Sequence, residues 1–253
     1  MERMNLLITD VDGTLLGDDT SLELFAQWYE SAQAHYRLVY SSGRFVESVL
    51  DSIDSSMLPE PHAIIGGVGT QIYDVGRGKK FPMWPPLVIE WNPYIVQSIG
   101  EEFAELKLQP TEFNSHHKVS FYGAELKEVF LKKFEDRMAS QGQRVCLVYS
   151  SDRDLDVLPN NSNKGAAALY LAQHWKIPAE RVLVAGDSGN DADMFRAGFR
   201  GIIVGNAKQE LKSLACPTIY VAEGCYAAGV LEGIRYWQAD RVNSSSERIG
   251  DWN

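Results

Sequence analysis

An apolar strand, an amphipathic helix and a second apolar strand follow one another near the start of the chain, and that succession admits few folds. Leu6-Leu7-Ile8 is a short, wholly apolar run, the pattern of a strand covered on both faces. Leu22–Ala34 carries Leu22, Phe25, Ala26, Trp28, Tyr29 and Ala32 at helical spacing, with Thr20 and Ser21 as caps. Arg37–Tyr40 is a second strand. Strand, helix and strand in so short a span form a βαβ unit, which implies a parallel sheet.

The alternation continues and is then interrupted. A helix over Phe45–Ile53, a third strand at Ala63–Ile65 and a hairpin pairing Gln71–Asp74 with Lys79–Met83 follow. From about Phe81 the texture changes, with Pro82, Pro85, Pro86 and Pro93 crowded around Trp84 and Trp91. A helix (Tyr94–Phe103), a strand (Lys118–Tyr122), a long helix (Ala124–Ser140) and two strands (Arg144–Tyr149, Leu155–Leu158) suit a small α+β module. Alternation resumes after Pro159, with strands at Val182–Ala185, Gly201–Val204 and Ile219–Val221 between helices, the last being Ala227–Trp237. The polar stretch from Asn243 reads as a loose tail. The predicted fold is α/β: a Rossmann-like doubly wound parallel sheet core from residues 1–80 and 160–253, with an inserted smaller α+β cap domain over 81–159.

Composition narrows the function. At 253 residues with 45% hydrophobic content the chain buries a sizeable core. A net charge of −10 argues against nucleic-acid and anionic-membrane partners. No 18-residue apolar run marks a membrane span. Three scattered cysteines, Cys146, Cys216 and Cys225, lack metal-site or disulfide spacing. With no signal-peptide pattern, the expected location is cytoplasmic.

Four polar clusters each fall just after a predicted core strand or at the start of the next helix. They are Asp10 and Asp12, Ser41-Ser42-Gly43-Arg44, Lys164 after Asn161-Ser162-Asn163, and Gly186-Asp187-Ser188-Gly189-Asn190-Asp191. Each alone reads as a turn, a solvated lysine or an Asx-rich loop. Together, at the carboxyl ends of strands in one parallel sheet, they predict a shared site. Strand alternation points Asp10 and Asp12 the same way. Asp10, Asp12 and Asp187 offer hard anionic oxygens suited to Mg²⁺. A carboxylate nucleophile, a second carboxylate (Asp12) as general acid and base, the Ser42 hydroxyl with nearby N–H groups and the Lys164 charge together suit phosphoryl transfer.

Asp-x-Asp-Gly-Thr, Ser-Gly-Arg, the lone lysine and Gly-Asp-Ser-Gly-Asn-Asp, in this order, resemble the haloacid dehalogenase superfamily of phosphatases, whose C2 cap is inserted where residues 81–159 stand. The resemblance implies Asp10 as nucleophile and Asp12 as general acid/base. It implies Ser42, Gly43 and Lys164 as phosphate contacts and Asp187 as a metal ligand, with Asn190 and Asp191 supporting metal or phosphate. His117–Tyr122, Asp154–Pro159, Ser162–Gly165 and Gly205–Leu211 resemble the sucrose-phosphate phosphatases of plants and cyanobacteria more closely, as does Val68–Tyr73, with Gln71 where glutamate is usual. Lys118, Asp154 and Gln71 are then the candidate sugar contacts, with Trp84, Trp91 and Asp156 behind them. The implied function is Mg²⁺-dependent hydrolysis of a sugar phosphate, sucrose 6-phosphate first and mannosylfructose phosphate next, with association with a sugar-phosphate synthase. A phosphosugar-binding regulatory module and a mutase are the rival readings.

Overall fold

The structure is a computed structural model that describes residues 4–247, with side chains described through residue 240. In chain order the elements up to the first antiparallel turn are β1 (Asn5–Thr9), α1 (Asp19–Ala32), β2 (Tyr36–Ser41), α2 (Val46–Ser55), β3 (Ala63–Gly66), β4 (Gln71–Asp74) and β5 (Lys79–Lys80). Next come α3 (Pro93–Gly100), β6 (Lys107–Leu108), β7 (Val119–Tyr122), α4 (Glu128–Ser140), β8 (Val145–Ser150) and β9 (Asp154–Pro159). The chain closes with α5 (Lys164–His174), β10 (Val182–Gly186), α6 (Ala192–Arg196), β11 (Arg200–Ile203), α7 (Gln209–Lys212), β12 (Ile219–Val221) and α8 (Tyr226–Glu247).

The larger sheet has the order β12-β11-β10-β1-β2-β3-β4-β5. Pairs from β12 across to β3 are parallel, and β4 and β5 add an antiparallel edge. Leu6, Leu7 and Ile8 are all fully buried. Because successive residues face opposite sides, both faces of β1 are covered. From β1 the chain moves outward through β2 and β3, then returns to lay β10 on the other side of β1. That reversal places a crevice beyond the ends of β1 and β10, where Thr9 pairs with Ala185.

The smaller sheet, β6-β7-β9-β8, is wholly antiparallel. Its side chains divide by alternation. Val119, Phe121, Leu155 and Val157 pack with Val96, Phe134 and Met138 of α3 and α4 in a core of their own. Ser120, Asp154 and Asp156 occupy the intervening positions, and Lys118 precedes them. Val68 of the larger unit packs with Val148 and Leu158 where the two sheets meet.

Local chemistry explains where the boundaries differ from expectation. The second hairpin strand stops at Lys80 because Phe81 turns inward onto Tyr170 and His174, and Pro82 has no N–H to pair. Helix α4 begins at Glu128 rather than Ala124, since the Glu125 and Leu126 N–H groups donate to Asp152 O and the Tyr149 hydroxyl. The stretch from Asn243, expected as a loose tail, continues α8 to Glu247. Residues 248–253 lie outside the described residues. No described helix is long and apolar enough to cross a membrane.

Candidate active site

The site is built around a lysine that solvent does not reach. Lys164 opens α5, whose first turn is capped by Asn163 accepting from the Ala166 N–H at 2.8 Å. Its side chain is fully buried and its ammonium uses all three of its N–H donors. They reach Asp10 Oδ1 at 2.8 Å, Asn190 Oδ1 at 2.9 Å and Asp191 Oδ1 at 2.6 Å. Three of the four clusters therefore meet at one nitrogen.

Asp10 is held at the end of β1 by its own N–H, which donates to Ala185 O at 2.9 Å. Asp191 is saturated: besides Lys164, its Oδ2 accepts from the Asp187 and Ser188 N–H groups at 3.1 and 3.2 Å. One oxygen from each of Asp10, Asp187 and Asp191 lies within 4.8 Å of the others. Gly13 has a positive φ of 81°, and a Cβ there would lie 2.6 Å from Asp187 Oδ2. Only glycine lets the first loop close on that carboxylate.

The electrostatics follow from this crowding. Burial first, then repulsion from Asp191, hold the Asp10 carboxyl well above the usual range, against the pull of Lys164. Burial and Asp191 push Asp187 up to about 6. Burial alone would lower Lys164, but Asp10 and Asp191 outweigh it and raise its affinity for the proton. The uncompensated charge on this cluster is negative and its donors are all oxygens. That donor set fits a hard divalent cation such as Mg²⁺, with Asp10 and Asp187 as the open ligands and Asp191 behind them.

Asp12 stands elsewhere. Strand β1 ends at Thr9, so alternation no longer governs the direction of residue 12. Its carboxylate is exposed and accepts from Arg44 Nε at 2.8 Å, outside the acidic cluster. The structure thus places Asp12, expected as a metal ligand, on Arg44 and apart from the other three carboxylates. Arg44, a member of the second cluster that was given no role of its own, is anchored further by Ser52 Oγ at 2.8 Å.

Ser42 follows β2, buried, with its N–H donating to Ile65 O at 2.8 Å and its Oγ accepting from the Arg44 N–H at 3.1 Å. A Cβ on Gly43 would come 3.5 Å from Asn190 Nδ2, so the second and fourth clusters face each other closely.

A cavity of about 600 Å³ lies between the two sheets, within the range that holds a small organic ligand. The larger unit lines it with Asp10, Asp12, Gly43, Arg44 and Asn190, and the smaller one with Lys118, Tyr122, Arg153, Asp154 and Asp156. Lys118 is nearly buried, with its Nζ 3.0 Å from Asp156 Oδ1 and 3.1 Å from Phe113 O. Asp154 is paired with Arg153 at 2.8 Å and accepts from Gln109 Nε2 at 3.0 Å.

Gln71 does not line the cavity. Its Oε1 accepts from the Val46 N–H at 3.0 Å, serving as the cap that Phe45 cannot supply to α2. The side-chain oxygen of this expected substrate contact is engaged in that structural bond. Trp84 and Trp91 likewise donate to Gly69 O and His116 O, at 2.8 and 2.7 Å, and neither lines the cavity between the two sheets. Of the lining residues missed, Tyr122 was readable from the alternation of β7. Gln109, Phe113 and Arg153 fall in a loop, a single 3₁₀ turn and a tight turn, which carry no periodic signal.

The doubly wound core, the inserted α+β cap and the lysine-centred carboxylates define a phosphoric monoester hydrolase of the haloacid dehalogenase type. A family model described as sucrose-6F-phosphate phosphohydrolase matches residues 3–238. The chain belongs to that family. It is 33% identical over 243 residues to a mannosylfructose-phosphate phosphatase of Agrobacterium fabrum, covering 94% of this chain and 98% of the other. It is 31% identical over 275 residues to a probable sucrose-phosphatase of Arabidopsis thaliana, covering all of this chain but 65% of the plant protein. Among solved structures, the sucrose-phosphatase of Synechocystis in complex with sucrose and phosphate superposes with a TM-score of 0.87 at 31% identity, covering 93% of this chain and 98% of that one. A haloacid dehalogenase-like hydrolase of Bacillus subtilis shares the fold, with a TM-score of 0.65 at 19% identity, covering 93% and 92% of the two chains.

Proposed function

We propose that the protein hydrolyses a sugar phosphate monoester with Mg²⁺ as cofactor, and that sucrose 6-phosphate is its substrate. The observation that carries this reading is the shared cavity. One wall presents Asp10 beside the buried Lys164 ammonium, and the other presents Lys118, Arg153 and two aspartates from the cap. The first wall suits a phosphate and the second suits the hydroxyls of a sugar. The names of the Arabidopsis and Synechocystis relatives support sucrose phosphate. The nearly full-length match to the Agrobacterium protein favours mannosylfructose phosphate as the second reading.

In this mechanism an Asp10 oxygen attacks phosphorus as the bond to the sugar oxygen breaks, giving an aspartyl-phosphate. Asp12 gives its proton to the departing alkoxide and then takes one from the water that releases phosphate from Asp10. Lys164 offsets charge on the reacting groups, while Ser42 and the backbone N–H of Gly43 hold non-bridging oxygens. Asp10 and Asp187, with Asp191 behind them, would hold Mg²⁺, which when bound withdraws charge from the phosphate and relieves repulsion among the carboxylates. A sugar-phosphate synthase is the partner this reading calls for, because its product is the substrate. The three cysteines are free thiols, which supports a reducing, cytoplasmic setting.

The direct test is phosphate release from sucrose 6-phosphate, mannosylfructose phosphate and simpler sugar phosphates, with Mg²⁺ and with EDTA. Mg²⁺-dependent preference for sucrose 6-phosphate is expected. Preference for mannosylfructose phosphate selects the second reading, and binding without release from any of them would make the protein a regulatory module.

Metal binding has its own pH signature. Asp10 and Asp187 are protonated more readily in the folded chain than when unfolded. Their contribution to metal-free stability is thus present at low pH and is lost as pH rises through about 6 for Asp187. Adding Mg²⁺ is therefore expected to raise the melting temperature more at about pH 7.5 than at about pH 5. Equal shifts at both pH values, read by thermal denaturation, would contradict the assignment of these carboxylates as ligands.

A further inference from the structure

The mechanism leaves the Gly205–Leu211 stretch without a role, yet this stretch supports the site from behind. Asn206 Nδ2 donates to Gly13 O and the Lys208 N–H donates to Asp187 O, both at 2.7 Å. Glu210 reaches further. Its Oε1 accepts from the Gly189 N–H at 2.7 Å and from the Ser151 N–H at 3.2 Å. Gly189 belongs to the core loop that carries Asp187, Asn190 and Asp191. Ser151 lies in the turn between β8 and β9 of the cap. A single carboxylate oxygen thus joins the inserted domain to the catalytic loop.

The surroundings are shaped to this contact. A Cβ on Gly189 would lie 2.7 Å from Glu210 Oε1 and 2.9 Å from Tyr149 O, so the approach of cap strand and carboxylate excludes any side chain there. The cap turn runs through two left-handed residues, Ser151 (φ 56°) and Asp152 (φ 50°). Non-glycine residues hold that conformation where neighbours over-determine it. The same turn delivers Arg153 and Asp154 to the cavity wall.

We propose that Glu210 is a positioning residue that latches the cap turn onto the catalytic loop. Seating the cap and setting Asn190 against Lys164 then become one event. Asn190 follows Gly189 directly, and its Oδ1 is 2.9 Å from Lys164 Nζ. If the cap swings open to admit substrate, the Ser151 N–H leaves the carboxylate while Gly189 stays bonded. Closure regains a charge-assisted hydrogen bond beside the loop that must be aligned for chemistry. This inference rests on the phosphatase reading for its kinetic consequence and on the geometry alone for the latch.

The test compares wild type with Glu210→Ala and Glu210→Gln. Glutamine keeps an oxygen able to accept from both N–H groups, whereas alanine keeps none. Three measurements are made on the full chain: phosphate release with Mg²⁺, melting temperature, and amide hydrogen exchange. For Glu210→Ala we expect kcat/KM to fall about 10-fold and the melting temperature to stay within about 2 °C. Exchange should quicken together in peptides covering 149–153 and 187–191. Glu210→Gln should stay within about threefold of wild type, since the acceptor geometry survives. The latch is overturned if exchange quickens in neither segment or in only one, if it quickens across the whole chain with a lowered melting temperature, or if glutamine loses as much as alanine. A wild type that releases no phosphate would overturn the phosphatase reading instead, and the exchange measurement, which needs no turnover, would still decide the latch.

Discussion

Replacing Asp10 with asparagine is expected to reduce phosphate release by at least about 10⁴-fold while leaving substrate binding measurable. The amide occupies the same volume at the end of β1 but has no anionic oxygen with which to attack phosphorus. The fold should tolerate the change well. Burial and the neighbouring Asp191 already disfavour the charged form of Asp10, so a neutral isostere relieves part of that cost. At neutral pH without added cation, the melting temperature of Asp10→Asn should equal or exceed that of wild type. A stopped-time phosphate assay with thermal denaturation checks both halves. Full activity in Asp10→Asn would remove Asp10 from the mechanism and leave the cavity to another nucleophile.

Lys164→Met is expected to fail in a different manner, losing both rate and stability. The side chain is fully buried, and among the described residues its ammonium is the one cation hydrogen-bonded to Asp10 and Asp191. Methionine fills much of the same space and leaves two buried carboxylates facing each other without a counter-charge. Breaking a buried pair in this way costs about 3–5 kcal/mol. Loss of a charge aimed at the reacting group costs a further factor of about 10²–10³ in kcat. The stability loss should shrink as pH falls, because Asp10, whose carboxyl is held above the usual range, then takes up a proton and no longer needs Lys164. Urea titration at two pH values measures this. A loss that does not depend on pH would mean that Lys164 contributes packing rather than charge.

The two variants separate features that the folded chain combines. Burial and Asp191 disfavour the charged form of Asp10, to which the proposed mechanism gives the chemistry, whereas Lys164 holds the carboxylates together and in that mechanism also serves the reaction. An uncharged Asp10 should be easy to purify for ligand binding, and Lys164→Met should be fragile near neutral pH. That contrast follows from the geometry at one nitrogen, where Asp10, Asn190 and Asp191 converge within 2.9 Å or less.

The architecture of the core was legible in the sequence because its signals are local. Leu6-Leu7-Ile8, Leu38-Val39-Tyr40 and Val182–Ala185 announce strands buried on both faces, and a polar cluster beyond a parallel strand has only the carboxyl end of the sheet to occupy. Asp10, Ser42, Lys164 and Asp187 could therefore be assembled before any contact was known. The antiparallel module of β6 to β9 was visible for the same reason, in the prolines before it and in the change of strand pattern.

Tertiary structure decided everything that depends on partners distant in the chain. Alternation placed Asp12 beside Asp10, but β1 ends at Thr9 and Arg44 draws that carboxylate to the cavity rim. Gln71 matched a substrate-contact pattern, yet α2 lacked a cap and Val46 claimed its oxygen. Gln109, Arg153 and Glu210 carry no periodic mark, since they act from a loop, a tight turn and the first turn of a short helix. Periodicity fixes which face of a strand or helix a residue occupies. The direction of a side chain in a turn is set by whichever donor or charge the rest of the fold brings within about 3 Å of it, and one sequence does not state which that will be.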